Sequence, residues 1–473
     1  MTVPGSDGRL PPAAEVVERA LELSTGHGAV VIVSDGSEAD VRFANNTTTT
    51  NGIRRDRRTT VITFVAGAGG SGSGQVAVGV ASRSGVVDVA ELVAASAADA
   101  AAAPAADDAA ALVAAGPESP GFDRPAPLTA LSVLDGVVRS LSDAFGRARA
   151  GGHVLAGFAS HRLETTYLGS TTGLRLRHEQ PTGTLQLVAR STDGTRSSWA
   201  GAGTETFADV DIDTLHDRLI RRLDWAERRL ELPPGRYEAV LPPDATADLM
   251  VVLSHALSGR DAEDGRSAFS APSGRTKVGA TLAPLPFGLR SDPAEAGLGC
   301  APFLATTASS TDVSVFDNGM PVGLVRWIDA GTLTALEYHR AAAARSGVAA
   351  AAPGDNLVLE LPGATGTVDD LVARTDRGLL LTCLWYIREV DPVTLLVTGL
   401  TRDGVYLVEG GEVVGAVNNF RFNESPLDVL ARTVEAGRTE RALSREWGEW
   451  MNRTAMPALR VADFNMSSVS PAT

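Results

Sequence analysis

Between residues 312 and 417 the chain is a succession of short β-rich runs separated by turn signals, and this pattern limits the possible folds more than any other feature. Runs at 312–316, 322–328, 357–361, 379–387, 394–399, 404–408 and 412–417 are too short for core helices and lie close together. Asp317-Asn318-Gly319 and Glu409-Gly410-Gly411 supply tight turns, so neighbouring runs are expected to pair as antiparallel hairpins. A region built this way must form a sheet and needs helices to cover it.

The covering elements lie upstream. Residues 12–23 carry Val16, Val17, Ala20 and Leu21 at helical spacing, ended by Gly26 and Gly28. A buried strand is expected at 29–33. Alternating Val41 and Phe43 follow, then a polar turn over 45–52. Runs at 59–65 and 75–80 flank the glycine-rich 67–74, read as a flexible hairpin loop. An Ala-rich helix over 88–116, broken near Pro104, leads to Pro117, Pro120, Pro125 and Pro127, a candidate boundary. A helix at 128–149, strands through 153–207 and an amphipathic helix over 212–230 come next. Tyr237 opens a strand to 241, after which Asp244 is expected to cap a helix reaching Leu257. The class is α+β, with mixed, largely antiparallel sheets and flanking helices. The expected segments are 1–118, 119–235 and 236–473.

A net charge of −15 disfavours contact with phosphate backbones, so no nucleic-acid partner is expected. The one dense basic cluster, Arg54, Arg55, Arg57 and Arg58, reads as a solvated loop or strand edge. No apolar stretch is long enough to cross a bilayer, and the N-terminus lacks the basic start and apolar core of a signal peptide. Two cysteines, Cys300 and Cys383, form no disulfide framework, which suits a reducing cytoplasm.

Local motifs identify no active site. The seven histidines are too scattered for HExxH, HxxxH or HxH. The glycine run lacks the Lys of a phosphate loop and a following helix. Cys383 lies in an apolar run and reads as a core residue, and Cys300 reads as structural in a loop. Arg388, Glu389 and Asp391 interrupt an apolar run, as an internal ion pair or as a cleft-facing group.

The stretch 378–430, GLLLTCLWYIREVDPVTLLVTGLTRDGVYLVEGGEVVGAVNNFRFNESPLDVL, resembles the signature region of TldD/PmbA proteins. Thr401-Arg402-Asp403-Gly404, Glu409-Gly410-Gly411-Glu412 and Pro426-Leu427 fall in the family's order. VFDNGMPVGLVRWIDAGTL at 315–333 and RSAF at 266–269 resemble upstream family segments. In that family, TldD-type chains carry HExxxH on a central helix and a C-terminal Cys, which hold a metal and a general base. Here His255 stands near the first position, Ala256 replaces the Glu, and Gly259 and Arg260 stand where a second His is needed. No Cys follows Glu440. The resemblance is therefore to the metal-free PmbA (TldE) type.

That resemblance implies a non-catalytic subunit of a metallopeptidase that cleaves unfolded or small modified peptides. A TldD-type partner would supply zinc and base in a heterodimer around an extended peptide, and this chain would need no cofactor of its own. A homodimer is left open as the assembly without the partner. His255 and Arg266 are the candidate partner-facing residues, with Arg388, Glu389 and Asp391 as cleft candidates. The alternatives are a free-standing amide hydrolase using Cys300 or Cys383, and a peptide-binding module without chemistry.

Overall fold

The computed structural model describes residues 10–24, 28–66 and 76–471. The loop expected at 67–74, Gly26, His27 and Gln75 lie outside the described residues. Helix α1 (Ala13–Leu23) buries Val16, Val17 and Ala20 against the first sheet. That sheet has six strands in the order β3-β2-β1-β4-β5-β6. They are β1 (Gly28–Ala44), β2 (Thr47–Ala66), β3 (Val76–Ser84), β4 (His153–Ser170), β5 (Arg175–Ser191) and β6 (Ser197–Thr204), and every neighbouring pair is antiparallel. Because β1 pairs with β4, the sheet runs continuously past residue 118, where the sequence suggested a boundary.

The polar turn expected over 45–52 is only two residues long. Asn45 and Asn46 both take positive φ, which suits a two-residue hairpin turn, and β2 begins at Thr47. The arginine run therefore lies on a strand. Arg57 stands opposite Asp35 in the register and Arg54 opposite Glu38, and each pair forms an ion pair. Arg57 is buried, so this residue of the expected solvated cluster is structural.

Four helices border the first sheet: α1, α2 (Val89–Ala102), α3 (Asp135–Ala150) and α4 (Ile212–Trp225). The Ala-rich helix stops at Ala102, since Pro104 cannot continue it, and 103–116 is non-helical. The amphipathic helix ends at Trp225 rather than 230, and Arg229–Leu230 joins the second sheet as a short parallel edge.

The second sheet contains the expected antiparallel runs. Residues 312–316 are an exception: Val315–Asp317 form a 3₁₀ turn, with Ser314 accepting from the Phe316 N–H and buried Asp317 paired with Arg340 at 2.7 Å. The centre of the sheet is the C-terminal strand Thr454–Val469. It pairs with Leu357–Glu360, Gly235–Leu241, Phe420–Glu424 and Thr433–Ala442. Met456, Leu459, Val461, Phe464 and Met466 on this strand are fully buried. The sheet and its central helix share one large apolar core, so the last strand holds the C-terminal half together.

The ring of Phe464 packs at 5.7 Å from that of Phe422. Phe464→Ala is expected to destabilise the C-terminal half by about 3–5 kcal/mol. Urea unfolding followed by tryptophan fluorescence measures this, and a loss under about 1 kcal/mol would show that the strand is not a keystone.

Candidate functional site

Helix α5 (Pro243–His255) follows the strand Gly235–Leu241 through Pro242 and Pro243, with proline tolerated in the first turn. Every residue from Asp244 to Ser254 is buried. A helix enclosed on all sides belongs inside a core. This one nevertheless carries two carboxyls, Asp244 and Asp248, one turn apart and on one face. Asp244 does not cap the helix as expected. It lies inside the first turn and accepts the Leu443 N–H at 3.0 Å. Asp248 Oδ1 accepts from Ser444 Oγ at 2.5 Å and from the Glu446 N–H at 2.8 Å. Trp447 Nε1 donates to the Asp248 carbonyl at 3.1 Å. Residues 443–447 are thereby strapped along the helix.

Burial pushes both carboxyls up, Asp248 to about 8, against the opposing pull of its Ser444 and Glu446 hydrogen bonds. Asp248 Oδ2 is buried and has no partner among the described residues. A neutral acid at this place is consistent with both observations.

At the far end of α5, His255 reaches solvent. Its ring meets Trp447 edge-on at 6.2 Å, and the protein around the remaining sides lowers its pKa. Arg388 comes to the same surface. It pairs with Glu446 at 2.7 Å and lies over the Tyr386 ring at 4.3 Å. Tyr386, held at positive φ, donates its N–H to Glu446 Oε2 at 2.9 Å. The other candidates take no part in these contacts. Arg266 is held locally by Asp261 at 2.7 Å and Asp264 at 2.9 Å. Glu389 is exposed on its strand, and Asp391 closes a turn by accepting the Val393 N–H and the Thr394 hydroxyl. Arg388 thus pairs with Glu446 rather than with Glu389 or Asp391. Tyr386, Val390, Val393 and Trp450 are all more than half exposed, and Trp450 reaches 75%.

The donors near His255 do not suit a metal. With His255 as the first histidine of an HExxxH helix, Ala256 and Arg260 would occupy the other key positions; with His255 as the second, Met250 and Val251 would. Met250 and Val251 are fully buried in the apolar core. Among the described residues no cluster of three or more His, Cys, Asp or Glu has metal-binding geometry. Both cysteines are buried, which raises the Cys300 thiol to about 11 and the Cys383 thiol to about 12. Both are protonated near neutrality, the wrong state for a nucleophile.

Sequence reading missed a cleft of about 400 Å³ at the other end of α5, roughly 18 Å away along its axis. It lies between the end of β6, α4, the first turn of α5 and the end of the strand Thr433–Ala442. Five arginines line it. Arg221 pairs with Asp369, Arg438 with Glu440 and Arg441 with Asp209, and buried Arg222 donates to the Trp199 carbonyl at 2.6 Å. The α4 arginines carry no signal of this cleft in the sequence, because the residues that enclose them lie far away along the chain.

Two largely antiparallel sheets, one built round an enclosed helix, define an α+β architecture. Residues 234–468 match the PmbA/TldA metallopeptidase C-terminal domain family. The chain belongs to the PmbA/TldD family. The fold is similar to that of TldE from Thermococcus kodakarensis, with a TM-score of 0.75 and 16% identity over 96% of this chain and 99% of that one. It is also similar to a putative modulator of a DNA gyrase from Thermotoga maritima, with a TM-score of 0.74 and 15% identity over 95% and 99%. A like-named protein from Bacteroides thetaiotaomicron gives 0.72 and 15% over 96% and 98%. At these identities the likeness establishes the fold alone. No curated protein sequence matches the chain. Among the described residues no helix is long and apolar enough to cross a membrane.

In the unfolded chain an aspartate ionises near pH 4, roughly; folded, Asp248 keeps its proton to about 8. Between those values the folded state binds the extra proton, so this site's contribution to stability falls as pH rises through the window and levels off above it. Asp248→Asn keeps an acceptor for Ser444 and Glu446 and cannot ionise. Its Tm is expected to match wild type near pH 5, roughly, and to exceed it near pH 8.5, roughly. A difference that does not change with pH would mean that Asp248 is ionised in the folded protein.

Proposed function

We propose that this chain is the metal-free member of a two-subunit peptidase of the PmbA/TldD type. A TldD-type partner supplies zinc and the general base, and this chain supplies walls that exclude water and position an extended peptide. The observation that carries the reading is the end of α5, where His255 is the lone donor and the neighbouring key positions hold Met250, Val251, Ala256 and Arg260. Hydrolysis through a bound metal needs three protein ligands and a base, which these residues do not provide.

The surface around His255 supports the assembly part of the reading. Tyr386, under the Arg388 guanidinium, and Trp450, whose N–H donates to the carbonyl of the Trp447 that meets His255, expose aromatic area near the Arg388–Glu446 pair. Exposed aromatic rings next to a charged pair are of the composition that protein contacts use. Without the partner, the same surface would join two copies of this chain. The free-standing hydrolase reading loses support from the two protonated, buried thiols.

Co-expression with an HExxxH-bearing family member, followed by affinity purification and metal analysis, tests the reading. Zinc and peptidase activity are expected in the complex and not in the isolated chain. Trp450→Asp, at a largely exposed position, should leave the isolated chain's stability within about 0.5 kcal/mol. It should cut co-purification by roughly tenfold or more. Stoichiometric zinc with peptidase activity in the isolated chain would overturn the reading. Unchanged co-purification of the Trp450 variant would remove this surface from the contact.

A further inference from the structure

Two enclosed imidazoles meet where α4 lies against the first sheet. His216 shares the buried stripe of α4 with Ile212, Leu215, Leu219 and Leu223, and only 6% of its surface is exposed. Both of its ring nitrogens are enclosed, and neither has a hydrogen-bond partner among the described residues. Asp217 Oδ1 stands 3.7 Å from Nδ1, too far for a hydrogen bond, on a side chain that is 82% exposed. His153, at the start of β4, is half-buried, and its Nδ1 is likewise enclosed and unbonded. The two rings are close enough that charge on His153 opposes charge on His216.

An apolar side chain would fill the place of His216 beside this core without leaving two ring nitrogens unbonded. What the imidazole adds is the capacity to take up a proton. The surroundings hold both rings below the ordinary histidine value. For His216 burial is the main cause, followed by the Arg147 guanidinium on α3, while Asp217 pulls the other way. Arg147 is itself held by Asp213 on α4 at 2.5 Å. For His153 burial again leads; Asp224 on α4 favours the charge and Arg196 opposes it. Arg196 is held by Glu227 at 3.1 Å. Arg149 approaches from α3 and donates to the carbonyl of Asn46, whose side chain donates to the His153 carbonyl.

α4 is also a wall of the cleft at the first turn of α5, which Leu215, Arg221, Arg222 and Trp225 line. Arg221 reaches Asp369 at 3.0 Å, and Trp225 meets Tyr406 edge-on at 5.3 Å, so the helix touches both halves of the chain. We propose that His153 and His216 are an acid-operated latch: uptake of protons by the pair releases α4 from the first sheet and opens this wall of the cleft. A histidine freed from the protein takes its proton at about pH 6.5. The enclosed rings take theirs at lower pH, so below about pH 6.5 the released form binds more protons than the docked one. The docked form therefore loses ground as pH falls through that window, and loses no more once both enclosed rings are charged. The apolar stripe of α4 opposes release, so the docked helix dominates at neutral pH. The latch needs no partner, zinc or peptide.

Amide hydrogen exchange of the full chain, read by mass spectrometry at about pH 5 and about pH 7.5 and corrected for intrinsic exchange rates, tests this. The opening constant of Ile212–Trp225 is expected to be at least roughly threefold larger at the lower pH. Val89–Ala102, on the same sheet, and the C-terminal strand Thr454–Val469 should not follow it. His216→Phe removes the buried nitrogens and should remove most of the rise. His153→Gln, at the more open position, should reduce it, and the two together should abolish it. Where His216→Phe does not fold, His153→Gln must still reduce the rise for the latch to stand. A wild-type rise below roughly threefold, an equal rise in the two reference segments, or a rise that these substitutions leave intact would overturn the latch.

Discussion

The enclosure of α5 on every side is the constraint on which the C-terminal half depends. A helix with no solvent face must satisfy its polar groups inside the protein, since each unpaired one costs free energy comparable to a lost hydrogen bond. Asp244 and Asp248 draw in the Leu443 and Glu446 N–H groups and the Ser444 hydroxyl. This fixes the path of 443–447 and delivers the chain to the C-terminal strand at Thr454, whose Oγ1 donates to the Ala442 carbonyl at 2.7 Å. The strand that crosses the core and the helix inside it are thus positioned by one set of polar contacts.

The same segment joins the two sheets. Arg445 lies between Trp199 on β6 and Trp385, at 5.0 and 4.8 Å from their rings, and its Nη2 reaches Asp403 at 3.4 Å. Ser197, also on β6, donates to Asp403. A guanidinium between two indoles keeps its charge while burying apolar area on both faces. Because Trp199 and Ser197 share β6 with Gly201 and Gly203, which line the cleft at the first turn of α5, the contact that docks the sheets also shapes that cleft.

Much of the fold was legible because its signals are local. The stripe of α1, the alternation in β5, the Gly410-Gly411 turn and the strand at 412–417 all depend on neighbours in sequence. Elements that depend on distant partners were not. Thr47–Arg58 looks like a polar loop until Asp35, Glu38 and Arg162 are placed across from it. Residues 312–316 have strand composition, yet Asp317 is buried and recruits Arg340, which bends the chain. The C-terminal strand was hidden by Pro457 and by the irregularity at Asp463, where φ is positive. Of the site, the resemblance gave His255 and the missing metal ligands. It did not give Asp248, whose partners Ser444 and Glu446 are nearly two hundred residues away, nor the cleft around Arg218, which exists only once β6 and α4 meet the second sheet.

The two ends of α5 therefore present different chemistry from one rigid element. Its first turn opens on a charged cleft whose walls come from both sheets, and its last turn opens on an exposed aromatic surface bearing a single imidazole. Between them Met250 and Val251 lie fully buried in the apolar core, and the buried carboxyls Asp244 and Asp248 bind the 443–447 segment. Core packing and the contacts from Asp244 and Asp248 to residues 443–447 together tie the helix to the sheet around it.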